Sequence, residues 1–182
     1  MTAELIERLS RLLRAQSHAA GLNPVQWEAL RYLARCNRFS NTAGALARYL
    51  HTTKGTVSQT LNALERKRLI ARKADPVSGR IIRLTLTRVG RALMARDPML
   101  QLASAAEKLA PAQRAAVTDG LAALLAYLQR ANGLRPFGVC RTCRHFRADA
   151  SAGGPHWCAL LDHPLNESDA GAICVDHQPR AA

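Results

Sequence analysis

The sequence predicts a mainly α-helical fold with one small β-hairpin and a loop-rich, cysteine-containing C-terminal tail. Three observations support this prediction. Apolar residues recur at helical spacing through most of residues 4–132. Two short alternating runs flank the turn sequence Asp-Pro-Val-Ser-Gly at residues 75–79. After Gly133 the helical period ends, and Cys and His become frequent.

Composition narrows the class of protein. The 182 residues are 48% apolar, enough for a packed core, and carry a formal net charge of +13. Residues 31–96 hold fifteen Lys or Arg against two acids, so the charge belongs to one segment and indicates a polyanionic partner. No apolar run approaches the length of a membrane span, and we expect a cytoplasmic protein. Five cysteines in a reducing compartment favour metal or redox chemistry over disulfides.

The first two helices are predicted from their apolar stripes and end signals. Residues 4–20 place Leu5, Ile6 and Leu9 on one face, which must dock on another surface. Asn23 and Pro24 form a helix start, and the buried helix that follows ends near Asn37.

Residues 42–67 have the pattern of a helix-turn-helix. Thr42 caps the first helix, His51 to Thr53 form the turn, and Thr53 caps a second helix with Val57, Leu61 and Leu64 inward. Short polar side chains on the outward side suit phosphates and base edges in the major groove. The predicted DNA-binding residues of this helix are Thr53, Lys54, Thr56, Ser58, Gln59, Thr60 and Asn62.

Residues 70–87 predict a β-hairpin with a basic tip that bears Arg72, Lys73, Arg80 and Arg83. Residues 88–107 continue as helix, with a break expected at Pro98. A last helix runs from Pro111 to Asn132-Gly133. These C-terminal helices are rich in Ala and Leu on more than one side, which suits burial between two subunits.

Residues 5–132 resemble the MarR (multiple-antibiotic-resistance regulator) family of winged helix-turn-helix repressors. The resemblance is carried by LNPVQWEALRYLA, the helix-turn-helix, LERKRLIARKADP and GRIIRLTLTRVG. It implies a homodimer on a palindromic operator in double-stranded DNA, with the recognition helix (about 53–67) in the major groove. It also implies a wing pair, Asp75 and Arg80, with Arg80 in the minor groove, and a pocket for a small-molecule effector between the DNA-binding lobe and the dimerisation helices.

The tail, residues 136–182, is too short and too poor in large apolar residues to build a core unaided. Its spacing C-x2-C-x14-C-x15-C resembles the ligand spacing of high-potential iron–sulfur proteins, which implies a 4Fe-4S cluster, with a 2Fe-2S centre as the variant. Zinc is the alternative, because thiolates suit both and His145, His156 or His177 can replace one cysteine. The expected ligands are Cys140, Cys143, Cys158 and Cys174.

Together these features predict a dimeric winged helix-turn-helix domain at 1–135 with a metal-stabilised extension at 136–182. We expect a transcriptional repressor that senses redox state or iron, and no enzyme, since Gly-rich phosphate loops and nucleophile elbows are missing from the sequence. Two alternatives stay open. One is a MarR-type regulator with structural zinc and a small-molecule ligand, and the other is a non-specific architectural DNA-binding protein.

Overall fold

The computed structural model describes residues 1–16, 19–150 and 154–180. Seven helices and a two-stranded hairpin precede the tail: α1 (Thr2–Gln16), α2 (Pro24–Arg35), α3 (Ala43–Tyr49), α4 (Lys54–Arg66), β1 (Ile70–Ala74), β2 (Ile82–Leu86), α5 (Arg88–Leu93), α6 (Met99–Glu107) and α7 (Pro111–Ala131). The tail adds β3 (Gly138–Val139), β4 (Phe146–Ala148), β5 (His156–Cys158), β6 (His163–Leu165), α8 (Glu167–Ala170) and β7 (Ile173–Cys174).

Side-chain caps begin the central helices at the predicted residues. Oδ1 of Asn23 accepts from the amide of Gln26 at 2.9 Å, and the amide of Asn23 donates in return to Oε1 of Gln26. Thr42 and Thr53 cap α3 and α4 with one side-chain bond each, by accepting from the amides of Ala45 and Thr56. The first helix is shorter than predicted, because residues 19–21 form a separate 3-10 turn with Ala20 at φ 60°. Residues 17 and 18 lie outside the described part of the chain.

The core of the helical lobe lies where α2, α3, α4 and the hairpin meet. Trp27, Leu30, Leu46, Leu61 and Leu64 are fully or almost fully buried there. The hairpin pairs Ile70 with Leu86 and Ala74 with Ile82 in antiparallel register. Leu84 and Leu86 of β2 are buried and complete the core on the side of the hairpin. Burial of these large side chains holds a helix pair that would not be stable alone.

The predicted break near Pro98 is confirmed, and an ion pair fixes it. Arg31 of α2 donates from Nε to Oδ2 of Asp97 at 2.8 Å and from a terminal nitrogen to Oδ1 at 2.9 Å. Asp97 is buried and also accepts from the amide of Met99 at 2.9 Å, at the start of α6. Removal of Arg31 would leave a buried carboxylate without its partner and would cost several kcal/mol of stability. The bonds of Asp97 to Arg31 and to Met99 therefore hold the start of α6 in place against α2.

The tail does not stand apart from the lobe. Its strands form two small antiparallel sheets, β3 with β7 and β4-β5-β6. Ile173 and Val175 are buried in the same cluster as Trp27 and Leu46, and Cys36 forms a parallel bridge with Ile173. The predicted boundary at residues 135 and 136 falls in the connection between α7 and β3, but the two segments share a core.

Apolar side chains remain uncovered on α1 and α7. Leu9 and Leu12 of α1 are 47% and 66% exposed, and Leu125 and Leu128 of α7 are 58% and 55% exposed. A stripe of this kind is unusual on the free surface of a monomer. None of the described helices is both long and apolar enough to span a membrane.

Candidate DNA-binding surface and cysteine site

Helix α4 exposes the polar face that the sequence predicts, with one exception. Thr53, Lys54, Thr56, Ser58, Gln59 and Asn62 are exposed. The predicted exposure of Thr60 is wrong: its side chain is buried, and its hydroxyl donates to the carbonyl oxygen of Thr56 at 2.9 Å. A threonine can return its hydroxyl to the preceding helical turn in this way. The hydroxyl of Thr53 also bonds within the helix, because its oxygen caps α4 by accepting from Thr56 N.

The wing is organised by Asp75 and Arg83. Oδ1 of Asp75 accepts from the amides of Val77 and Ser78, each at 3.0 Å, and Oδ2 accepts from Arg83 Nε at 2.7 Å. These bonds, from Ser78 first and then from Arg83, lower the pKa of Asp75. The resemblance paired Asp75 with Arg80, but Arg83 is the partner in the structure. Arg80 is exposed on the turn, and no acid among the described residues pairs with it.

Arg72 joins the hairpin to α4. It donates to Oδ1 of Asn62 at 2.7 Å and lies 3.5 Å from a carboxylate oxygen of Glu65. The exposed Lys73 follows it on β1. Arg72 therefore links the polar face of α4 to the base of the wing, and Arg80 is exposed on the turn of the wing.

Comparison with known proteins agrees with this geometry. The sequence model of the MarR family matches residues 20–81. The fold is the MarR-type winged helix-turn-helix. MepR from S. aureus, solved as a DNA complex, is 25% identical, with 71% of this chain and 99% of MepR covered at a TM-score of 0.56.

Two further solved structures share the MarR-type fold at lower identity. Streptococcus pneumoniae FabT, in complex with DNA, is 21% identical over 71% of this chain and 96% of FabT, with a TM-score of 0.57. The transcriptional regulator SlyA is 15% identical over 71% of this chain and 95% of SlyA, also at 0.57. In a sequence comparison, no curated protein matches the chain.

Beyond the MarR-type winged helix, the tail brings all four predicted cysteines to one cavity. Cys140, Cys143, Cys158 and Cys174 line it together with apolar side chains and Asp176, and the remaining lining residues are Phe146, Leu160, Leu161 and Leu165. Its free volume is about 10 Å³, roughly the room that one water molecule needs. Three of the thiols are buried and Cys158 is half-buried.

Tight turns place the thiols. The 3-10 turn Cys140–Thr142 lets the amide of Cys143 donate to the carbonyl oxygen of Cys140 at 2.9 Å, which folds the C-x-x-C segment over itself. Gly138 lies just before this turn, and a Cβ there would stand 2.5 Å from Cε1 of the His177 ring. Strand β7 then pairs Cys174 with Gly138 and brings the fourth cysteine to the first pair.

Hydrogen bonds polarise these thiols in opposite directions. The bond between Cys140 and Cys174 raises the pKa of Cys140, and burial raises it further. The same bond lowers the pKa of Cys174, assisted by the backbone amide of Asp176. A lowered pKa favours the thiolate, which is the form of cysteine that binds metals.

The donor set fits a thiolate-bound inorganic group in its chemistry. Four soft sulfur donors face one cavity, and two sulfurs accept further hydrogen bonds, Cys140 from Asn37 Nδ2 at 3.2 Å and Cys143 from Gln178 N at 3.5 Å. Within residues 1–16, 19–150 and 154–180, however, no three His, Cys, Asp or Glu side chains are already arranged to hold a single metal ion. The three histidines considered as substitutes do not line the cavity.

Cys36 lies outside this cavity. It is half-buried near the end of α2, and burial raises its pKa to about 11. It is therefore a neutral thiol at pH 7, consistent with the small core residue that the sequence predicts.

Grooves lie beside the MarR-type lobe. One of about 200 Å³ lies between α1, α2 and α6, lined in part by Leu13, Glu28 and Met99. The effector pocket expected from the resemblance stays a prediction. A larger groove of about 550 Å³ lies between the lobe and the tail, lined in part by Leu33, Arg91 and Ser168. The second groove exists because the tail docks on the lobe.

Sequence reasoning missed the residues that join the two parts. Asn37 and Ser40 lie in the irregular segment between α2 and α3, where no apolar period draws attention to them. Both are almost completely buried. The one available signal was composition: Asn and Ser between two helices commonly bond to nearby backbone amides.

Proposed function

We propose that this protein is a dimeric, DNA-binding transcriptional repressor that acts in the cytoplasm and carries an inorganic group in its tail. The observation that supports DNA binding best is the set of exposed polar and basic side chains on α4 and the wing. Lys54, Gln59 and Asn62 are exposed on α4, Arg72 of the wing bonds to Asn62, and Arg80 is exposed on the turn of the wing. MepR, whose fold it shares at 25% identity, was solved bound to DNA.

The recognition helix would enter the major groove, and Arg80 would reach the adjacent minor groove. Arginine is favoured there because a narrow minor groove has an enhanced negative potential. Arg83 is held by Asp75, which leaves Arg80 to act as the cation of the wing tip. Arg72 and Lys73 would contact phosphates at the base of the wing.

A palindromic operator requires two copies of this surface, and the uncovered apolar stripes of α1 and α7 would form the interface between subunits. Of the described side chains of α7, only Gln129 is buried within the single chain. A second copy that covers Leu121, Leu124 and Leu128 would remove this exposed apolar surface from water. Sedimentation should give a dimer, and Leu124→Glu should give a monomer with much weaker operator binding.

The four-cysteine site is proposed to bind an iron–sulfur cluster, with 4Fe-4S preferred and 2Fe-2S as the variant. Support comes from the ligand spacing and from the two hydrogen bonds that reach the sulfurs, since such bonds set the potentials of thiolate-bound clusters. When bound, the cluster would supply a charge that changes with redox state. Zinc is the second candidate, because four thiolates that line one cavity suit it as well.

One sample decides between the two groups. Anaerobic purification should yield a brown protein with visible absorption and with iron and acid-labile sulfide in proportion to protein. A colourless protein with one zinc per chain would replace the cluster with a structural zinc site. The signal would then be sought in a small-molecule effector bound in one of the grooves described above.

Operator specificity is a separate test. Duplexes selected from a random pool by the wild-type protein should bind about 10³-fold more tightly than random duplexes of equal length at physiological salt. Equal affinity for both would identify a non-specific architectural protein instead.

A further inference from the structure

We propose that Asn37 links the state of the four-cysteine site to the shape of the wing, so that loss of the bound group changes DNA affinity through this one side chain. The inference rests on the proposed function, because it needs both a loaded cysteine site and a DNA-binding wing. The link runs through hydrogen bonds that the structure shows in full.

The link begins at the sulfur. Asn37 belongs to the lobe, yet its Nδ2 donates to Sγ of Cys140 at 3.2 Å across 103 positions of sequence. The side chain is 3% exposed, so water does not compete for this bond. A thiolate bound to a cationic centre, a protonated thiol and an oxidised sulfur differ as acceptors. The strength of this bond therefore depends on what Cys140 binds.

The same amide group shapes the backbone that follows it. Oδ1 of Asn37 accepts from the amide of Phe39 at 3.1 Å and from the amide of Ser40 at 2.9 Å. One planar group therefore holds a candidate ligand on one side and the turn between α2 and α3 on the other. Rotation of the group to follow the sulfur would release the turn.

Ser40 fastens the tail to this turn. Its Oγ accepts from the amide of Val175 at 3.0 Å, one residue beyond Cys174. The amide of Asn37 donates to the carbonyl oxygen of Ile173 at 2.9 Å, one residue before it. The turn is therefore bonded to the residues on both sides of Cys174 and, through Asn37, to the sulfur of Cys140.

The segment between α2 and α3 is also bonded to the wing. Arg83 donates to the carbonyl oxygen of Phe39 at 3.1 Å and, through Nε, to Asp75 at 2.7 Å. Asp75 fixes the amides of Val77 and Ser78 at the wing tip. The path from sulfur to wing tip is therefore Cys140, Asn37, Phe39, Arg83 and Asp75, and each step is a hydrogen bond between named atoms.

Asn37→Ser separates the bond to the sulfur of Cys140 from the bonds to the turn. Serine keeps an oxygen that can accept from the amides of the turn, but it is too short to donate to Cys140. Asn132→Ser is the matched control, because Asn132 is exposed at the end of α7 and donates to the carbonyl oxygen of Leu128.

The first readout concerns the sulfur alone and involves no DNA. In the anaerobically purified, loaded protein, Asn37→Ser should shift the visible absorption of the bound group while the metal content per chain stays at the wild-type value. If the group is colourless zinc, Co²⁺ replaces it as the probe, and its thiolate charge-transfer band should shift. Asn132→Ser should leave the band in place. An unshifted band in Asn37→Ser would overturn the proposal.

The second readout is the affinity for the selected duplex, measured for the loaded protein and after removal of the group by a chelator. We expect wild type and Asn132→Ser to change affinity by at least about 5-fold between the two states. Asn37→Ser should change by less than about 2-fold. Equal coupling in Asn37→Ser and wild type would overturn the link, as would a wild-type affinity indifferent to removal.

Failures of the underlying proposals have different signatures. A wild-type protein that binds no DNA contradicts the regulator, and one that binds neither iron nor zinc contradicts the cysteine site. If Asn37→Ser does not fold or load, Arg83→Gln decides the matter, because it cuts the path at the carbonyl oxygen of Phe39 without touching a sulfur. Full coupling between loading and DNA affinity in loaded Arg83→Gln would then overturn the link.

Discussion

Arg83 donates to Asp75 at 2.7 Å, and this ion pair is the internal brace of the wing. The arginine also reaches the carbonyl oxygen of Phe39, outside the hairpin. The tip of the wing is therefore oriented by the segment between α2 and α3 as well as by its own turn. Arg83 of the hairpin is used in bonds within the protein, whereas Arg80 is exposed on the turn.

The wing should lose stability in acid because of Asp75. Its pKa is lowered from the ordinary value of 3.8 by bonds from Ser78, Arg83 and Val77, so folding favours the ionised form. That contribution is fully present above 3.8 and is lost as the pH falls through the lower folded value. Asp75→Asn should flatten the fall in melting temperature between about pH 5 and pH 2.

Thermal unfolding followed by circular dichroism across this range tests the prediction. Asp119→Asn, a substitution of an exposed acid on α7, is the control and should retain the wild-type profile. The role given to Asp75 would be wrong if its variant lost as much stability in acid as the control does.

Arg80→Ala should weaken operator binding without affecting the fold. Arg80 is exposed and makes no contact with an acid of the described residues, so its removal costs the free protein little. Removal of one DNA-facing cation should reduce the slope of log affinity against log salt by about 1. Fluorescence anisotropy at several salt concentrations measures this slope. Arg130→Ala at the exposed end of α7 is the control, and an unchanged slope in Arg80→Ala would remove the wing-tip assignment.

The lobe could be predicted from the sequence because its signals are local. Asn23, Thr42 and Thr53 cap their own helices, and Pro98 interrupts its own helix. Thr60 shows the limit of such reasoning: its position on the outward side of α4 was inferred from polarity, but its methyl group can be buried once the hydroxyl bonds to Thr56.

The docking of the tail could not be predicted in the same way. The contacts that decide it join Asn37 to Cys140 and Ser40 to Val175, more than a hundred positions apart. Neither partner belongs to a periodic element whose burial could be read from spacing. The four cysteines were found because their residue type is rare and their chemistry is specific, although their arrangement in space does not follow from that.

Cys140→Ser and Cys174→Ser should each abolish binding of the inorganic group. A hydroxyl is a poor ligand for a soft metal, and both residues line the shared cavity. The winged helix should stay folded, since its core is built by residues of α2, α3 and α4. Its melting temperature should nevertheless fall, because Ile173 and Val175 leave that core if the tail loosens.

Metal analysis and thermal unfolding of the same samples check both halves of this prediction. Cys36→Ser is the matched control: it removes a thiol outside the cavity and should keep the full metal content. Wild-type metal content in Cys140→Ser would contradict its role as a ligand. Complete unfolding of either variant would show that the lobe cannot fold without the tail.

Gly90→Ala should destabilise the join between the wing and the helices that follow it. A Cβ at Gly90 would stand 2.0 Å from the carbonyl oxygen of Leu69 and 3.0 Å from its carbonyl carbon. Both are backbone atoms, and that carbonyl oxygen already accepts from the amide of Thr87 at 3.0 Å, so it cannot turn away freely. We expect a loss of about 1–3 kcal/mol in the free energy of unfolding, as for other overpacked sites.

Gly44→Ala is the control for the general effect of replacing a helical glycine. Its Cβ would meet nothing within 4 Å, so the variant should be neutral or up to about 1 kcal/mol more stable. Urea denaturation of both variants measures the difference. Equal stability of the two would mean that α5 can withdraw from Leu69 at little cost.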